Sequence, residues 1–291
     1  MHSTVDGFSY GLVTPLVAYL MACLGGALGL RCTARAMLVT RSWRPGWLAL
    51  GSAAIGSGIW TMHFVAMMGF TIEHTPIRYD WLMTFASLAV AIVMVGVGIF
   101  IVGYRGVRGT ALFTGGTITG LGIASMHYLG MAGMHLDGQL TYNTFTVGVS
   151  VVIAMAAATA ALWAAGQVRG FLWSVGAALI MGLAVTGMHY TGMAAVQVHL
   201  TGTGEPPVGG SPADLLAPML IGPLAFLLLA GVVVLFDPQM VMGQPAAPAE
   251  QKPGVPAHTG APRTIRRSAH HPARRTRRPL VHRRPRTPQN R

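Results

Sequence analysis

WTMHFVAMM, residues 60–68, sets a histidine inside an apolar run. The surrounding segment, 47–70, is long enough to cross the hydrocarbon core of a bilayer, which takes about 20 mostly apolar residues. The pattern returns as SMHYLGMAGM at 125–134 and GMHYTGMAA at 187–195. Aligned on His63, His127 and His189, the copies share a preceding methionine (Met62, Met126, Met188) and a following aromatic (Phe64, Tyr128, Tyr190). They also share a methionine four residues on (Met67, Met131, Met193) and a glycine seven residues before (Gly56, Gly120, Gly182). The histidines are 64 and 62 residues apart, one helix pair each, so the chain reads as a tandem repeat.

The whole composition agrees with a membrane setting. Of the 291 residues, 52% are hydrophobic and 10% charged, against about 25% charged in soluble domains. Mean hydropathy is +0.53. The net charge of +12 belongs mainly to the C-terminal tail, and the apolar body carries little of it. Seven stretches have the length and composition of spans: 9–30, 47–70, 81–103, 111–134, 144–166, 172–196 and 215–236. They are too long for barrel strands, and helices alone satisfy their own backbone within lipid. The expected fold is therefore all-α, a polytopic bundle of three helix hairpins plus a seventh helix. Nothing in MHSTVDGFSYG has the basic start or cleavage site of a leader peptide.

Loop charge predicts the orientation. Arg31, Arg35, Arg41 and Arg44 follow the first span, Arg105 and Arg108 the third, and Arg169 the fifth, whereas the alternate loops hold Arg78. Basic residues stay on the cytoplasmic side, which puts the N-terminus out and the C-terminus in. The expected layout is a short outer segment 1–8, a membrane domain 9–200, an outer loop 201–214, the last helix 215–236 and a cytoplasmic tail 237–291. The three histidines then lie near the outer ends of the second, fourth and sixth helices. Localisation is to the cell membrane, in contact with the lipid bilayer.

Residues i and i+4 share a helix face. His63 with Met67, His127 with Met131 and His189 with Met193 can thus each aim an imidazole and a thioether at one locus. That donor pair suits copper, and thioether favours the reduced ion. Met62, Met126 and Met188 are rotated about 100° away and are secondary candidates. Zinc fits less well, since no thiolate or carboxylate recurs beside the histidines. The plain alternative is packing, because methionine fills gaps in apolar cores. Against it, a histidine within a span is costly and marks function. Chain spacing leaves open whether the motifs make one centre or three. His135, two turns past His127, falls near the same helix face; His74 and His199 read as solvated loop residues. Cys23 and Cys32, about 13 Å apart along one helix, cannot form a disulfide with each other and read as apolar fillers.

These motifs resemble the MHYT family of bacterial integral membrane proteins, with the third copy spelled out as Met188-His189-Tyr190-Thr191. The first copy reads Met62-His63-Phe64-Val65 and the second Met126-His127-Tyr128-Leu129, so the threonine is not essential to shared chemistry. The likeness covers roughly residues 8–200. It implies a sensor, with copper as the ligated metal and oxygen, carbon monoxide, nitric oxide or redox state as the signal.

The tail, including RTIRRSAHHPARRTRRP, is rich in Pro, Ala and Arg and cannot bury a core. Anionic headgroups of the inner leaflet are its expected partner; nucleic acid is not favoured, as no aromatics are interleaved. It is too short and polar to be an output domain, so the reading is a stand-alone membrane module with a separate signalling partner. Competing readings are a copper-handling transporter or channel, a haem-binding electron carrier, and a scaffold without ligand. Paired carboxylates, a nucleophile elbow and a phosphate loop are all missing from the sequence, and no enzyme is expected.

Overall fold

A computed structural model of the chain describes residues 5–6, 11–72, 76–167, 171–200, 209 and 212–237. The basic tail and His74 lie outside them. The first repeat runs β1 (Val5–Asp6), α1 (Val13–Leu38), α2 (Arg44–Met68), β2 (Thr71–Ile72). The second runs β3 (Arg78–Tyr79), α3 (Trp81–Arg105), α4 (Gly109–Ala132), β4 (Met134–His135), and the third β5 (Gly138–Tyr142), α5 (Thr144–Gln167), α6 (Phe171–Ala194), β6 (Val196–Leu200). The last helix is α7 (Pro212–Leu235).

Each repeat is thus a strand, two antiparallel helices and a strand. Its two strands pair with each other: β1 with β2, β3 with β4, β5 with β6, all antiparallel. The expectation was helices alone, so the ribbons are an addition. They stand together at one end of the bundle, the ribbon end. The opposite end carries the α1–α2 and α3–α4 turns with Arg41 and Arg108; we call it the arginine end. The helices of the first hairpin also run further into this end than the sequence suggested. Arg31 and Arg35 belong to α1 and Arg44 opens α2, leaving a short turn between.

Helix boundaries follow local chemistry. Asp80 caps α3, its carboxylate accepting from the Met83 N–H at 2.7 Å. Asn143 does the same for α5 by accepting from the Thr146 N–H at 3.1 Å. Gly106 ends α3 at φ 90°, a conformation that a side chain would strain.

The six repeat helices close into a ring in chain order, α6 returning to α1, and α7 packs outside against α1 and α2. Small residues make the ring tight. A Cβ on Gly25 of α1 would stand 2.7 Å from the Gly58 Cα of α2, and one on Gly56 of α2 would stand 2.9 Å from the Ile92 Cα of α3. Close approach of this kind drives helix association where lipid is as apolar as the interface.

Five helices, α1, α2, α3, α5 and α6, are long and apolar enough to cross a membrane. The threonines and glycines of α4 make it less apolar, yet it must recross, since α3 ends at the arginine end and α5 begins at the ribbon end. The described part of α7 contributes a shorter apolar helix, Ile221–Leu235. Leu82, Val93, Val152, Ile180 and Leu183 stand exposed around the ring, as lipid-facing residues do. The chain is a multi-pass membrane protein, in contact with the bilayer. By contrast α2 is enclosed: every residue from Ala54 to Met67 is buried. Residues 60–67, which carry the first histidine motif, therefore lie in the core of the bundle.

Candidate metal centre

His63, His127 and His189 each stand five residues before the last residue of their helix (63 to 68, 127 to 132, 189 to 194). The repeat therefore delivers the three side chains to one level, and the closed ring turns them toward one axis. Their Nδ1 atoms form a triangle: 3.1 Å from His63 to His189, 3.1 Å from His127 to His63 and 3.3 Å from His189 to His127. The rings stand nearly perpendicular to one another, at 77–89°, with centroids 4.9–5.1 Å apart. All three are about 1% exposed. Among the described residues this is the one cluster of three or more histidine, cysteine or acidic side chains placed to hold a metal ion, and it contains no carboxylate or thiolate.

Protons cannot satisfy this triangle. The Nδ1 of a neutral imidazole is either an N–H or a lone pair. Of three such atoms in mutual contact, two must be alike. One contact is then always donor against donor or lone pair against lone pair. A central cation takes all three lone pairs at once. Three tetrahedral nitrogens about 2.0 Å from one ion lie about 3.3 Å apart, and the edges here are close to that. The residues present fit a metal ion.

With Nδ1 turned inward, each Nε2 carries the proton. Nε2 of His63 and of His127 meets no hydrogen-bond partner among the described residues. Metal-bound histidines usually donate this N–H to an oxygen, and leaving it buried costs about 1–3 kcal/mol. The space behind these two nitrogens is filled by glycine. A Cβ on Gly130 would stand 2.6 Å from His63 Nε2, and one on Gly192 would stand 2.5 Å from His127 Nε2. The sequence puts a small residue three after each histidine (Ala66, Gly130, Gly192), but register alone does not pair it with a histidine on another helix.

The paired methionines lie around this centre in the same apolar core. Met62, Met67, Met126, Met131 and Met188 are buried and Met193 is half-buried. Each aromatic neighbour stands edge-on to its histidine, at 4.7 Å for Phe64, 4.8 Å for Tyr128 and 5.1 Å for Tyr190. Tyr128 is further fixed by a 2.6 Å hydrogen bond with Ser150 of α5. In the first repeat Trp60 makes the corresponding tie, donating to Ser87 of α3 at 2.9 Å. Toward the ribbon end, Tyr79 of β3 is buried, and burial pushes its phenol above the ordinary range.

Two other histidines fall away from the centre. α4 stops at Ala132, so His135 leaves the face of His127 and stands exposed in β4, opposite Arg78. His199 is exposed in β6 opposite Gln139. Cys23 and Cys32 are free thiols, both buried in α1.

The repeat described as "Bacterial signalling protein N terminal repeat", MHYT, matches the chain three times, over residues 56–115, 120–178 and 182–239. The chain belongs to the MHYT family. Each match begins within a histidine-bearing helix and runs on past the end of its repeat, the first two into the next hairpin and the third into α7, so the matches are offset by about half a unit from the strand–helix–helix–strand repeats. Curated relatives carry the same region. The chain is 38% identical over 197 residues to the bifunctional diguanylate cyclase/cyclic di-GMP phosphodiesterase MucR of Pseudomonas aeruginosa, covering 66% of this chain and 29% of MucR. It is 34% identical over 211 residues to the cyclic di-GMP phosphodiesterase NbdA of the same organism, covering 67% of this chain and 26% of NbdA. It is 29% identical over 198 residues to the signaling protein YkoW of Bacillus subtilis, covering 66% of this chain and 24% of YkoW. The MHYT chain thus spans about a quarter of the length of these relatives. No solved structure matches it. The comparisons make it a membrane protein of a sensory and signalling family.

Proposed function

We propose that the protein is a membrane sensor whose input element is one copper ion held by Nδ1 of His63, His127 and His189. The observation that carries this reading is the Nδ1 triangle with edges of 3.1–3.3 Å. Met67, Met131 and Met193, one turn further toward the ribbon end, are the softer candidate ligands, and Met62, Met126 and Met188 form the apolar shell behind. Copper there would supply a one-electron change of charge and an open coordination position. The donor set favours the reduced ion. Imidazole and thioether are neutral, and each unit of uncompensated charge buried in an apolar interior costs several kcal/mol. A monovalent ion suits the site better than divalent zinc or oxidised copper. Redox state, or a small diatomic gas such as oxygen, carbon monoxide or nitric oxide, is then the signal class.

The alternatives draw less support. A transport path would continue inward from the triad. Below it the ring axis is filled by Ile55, Ile59, Ile99, Ile123, Leu162 and Val185, which leave about 20 Å³ between them, room for about one water. A haem held by two imidazoles needs its plane between their nitrogens, and 3.1 Å gives no room for a macrocycle. The chain itself is not proposed to be an enzyme. MucR and NbdA are named for cyclic di-GMP turnover, and we place the output of this sensor in the same signalling class, through a partner protein or a further segment.

The test is an anaerobic titration of the purified protein in nanodiscs with Cu(I). Binding is expected to saturate and to vanish in the His63→Ala/His127→Ala/His189→Ala variant. Carbon monoxide added to the loaded protein should give an infrared stretching band absent from that variant. Failure to bind copper, or equal binding by the triple variant, overturns the reading.

A further inference from the structure

The glycines behind the imidazoles show a rule of construction. His63 of the first repeat leans on Gly130 of the second, and His127 of the second leans on Gly192 of the third. Both are the residue three places after the histidine of the next repeat. Extended to the third repeat, the same rule assigns His189 the corresponding residue of the first, Ala66, which is 2% exposed. Two seats are therefore glycine and one is alanine.

We infer that Gly130, Gly192 and Ala66 are positioning residues that set how far each imidazole reaches toward the shared centre, so that no repeat places its own histidine. The inference rests on the proposed metal centre for its purpose, but its geometry does not depend on any ion. Nε2 lies on the side of each ring away from Nδ1. A methyl group at Gly130 would stand 2.6 Å from His63 Nε2 and 3.1 Å from its Cδ2, well inside contact distance. The ring must then move toward a centre where its Nδ1 already has neighbours at 3.1 Å, or tilt away from it. Either movement spoils the triangle. At Gly192 the clash is with Nε2, Cδ2 and Cε1 of His127, at 2.5, 3.1 and 3.3 Å, and the consequence is the same. Removing the methyl of Ala66 should free the third ring and enlarge the triangle at that corner. The seats thereby set the size of the triangle.

Pairwise coupling tests this, because a merely structural glycine would not care which histidine is present. In the metal-free protein, Gly130→Ala should lower the thermal midpoint by roughly 2–10 °C. In a His63→Ala background the same change should cost nearly nothing, since the clashing ring is gone. In a His127→Ala background it should keep most of its cost, because the methyl still meets the His63 ring and His189 still faces it. Gly192→Ala should show the mirror pattern, suppressed by His127→Ala and mostly kept in His63→Ala. In the copper titration, Gly130→Ala and Gly192→Ala should weaken Cu(I) binding by about 10–100-fold, and Ala66→Gly should fold normally with a smaller loss. Equal cost of Gly130→Ala with and without His63, or failure of Gly130→Ala/His63→Ala to fold where His63→Ala folds, overturns the inference. If wild-type protein binds no copper while the coupling pattern holds, the seats stand and the copper reading falls.

Discussion

At the arginine end, Arg35 of α1 donates to the Asp237 carboxylate at 2.8 Å, just past the end of α7. The two side chains are 11% and 7% exposed, and the guanidinium also lies 5.8 Å from the centre of the Trp47 ring. At the ribbon end, three imidazoles about 1% exposed meet one another and, among the described residues, no carboxylate. Both ends bury polar groups in a largely apolar bundle. The first completes its electrostatics within the chain, joining α7 to α1. The second leaves three lone-pair-bearing nitrogens facing one another, a set that a cation would satisfy. A buried polar cluster that its own chain can satisfy is architecture; one that it cannot satisfy points to a ligand.

That contrast can be broken by mutation. Asp237→Ala leaves Arg35 without its carboxylate and should cost about 3–5 kcal/mol, while Cu(I) affinity at the far end of the bundle stays unchanged. Its readout is chemical unfolding of the reconstituted protein alongside the copper titration. Copper loss on Asp237→Ala without loss of fold would mean that the two ends are not independent. A smaller effect sharpens the division within the ribbon end itself. Tyr128→Phe removes the 2.6 Å hydrogen bond to Ser150 but keeps the ring beside His127. It should cost about 0.5–1.5 kcal/mol of stability and leave copper stoichiometry intact. The first repeat already carries Phe64 at this position.

Much of this arrangement was legible in the sequence. Three in-register copies of a histidine among methionines showed the repeat, and the apolar lengths showed the spans. Closure of the ring was not legible. Spacings of 64 and 62 residues set each histidine at the same height, whereas direction about the axis depends on six helices packing at once. The ribbons are not legible for a different reason. β1 and β2 are two residues each, too short to show a period. β6 did offer a signal, Val196-Gln197-Val198-His199-Leu200, whose apolar and polar residues alternate as in a strand. His135 shares the face of His127 only if the period of α4 continues past its true end at Ala132. The cross-repeat seats were out of reach, because register shows which positions correspond and not which ones touch.

One centre rather than three is the claim on which the account depends, and metal stoichiometry tests it. Protein saturated with Cu(I) and freed of excess ion should contain one copper per chain by elemental analysis. Each single variant, His63→Ala, His127→Ala or His189→Ala, should lose nearly all of it. Three coppers per chain, or a loss of one third with each histidine removed, would contradict the account.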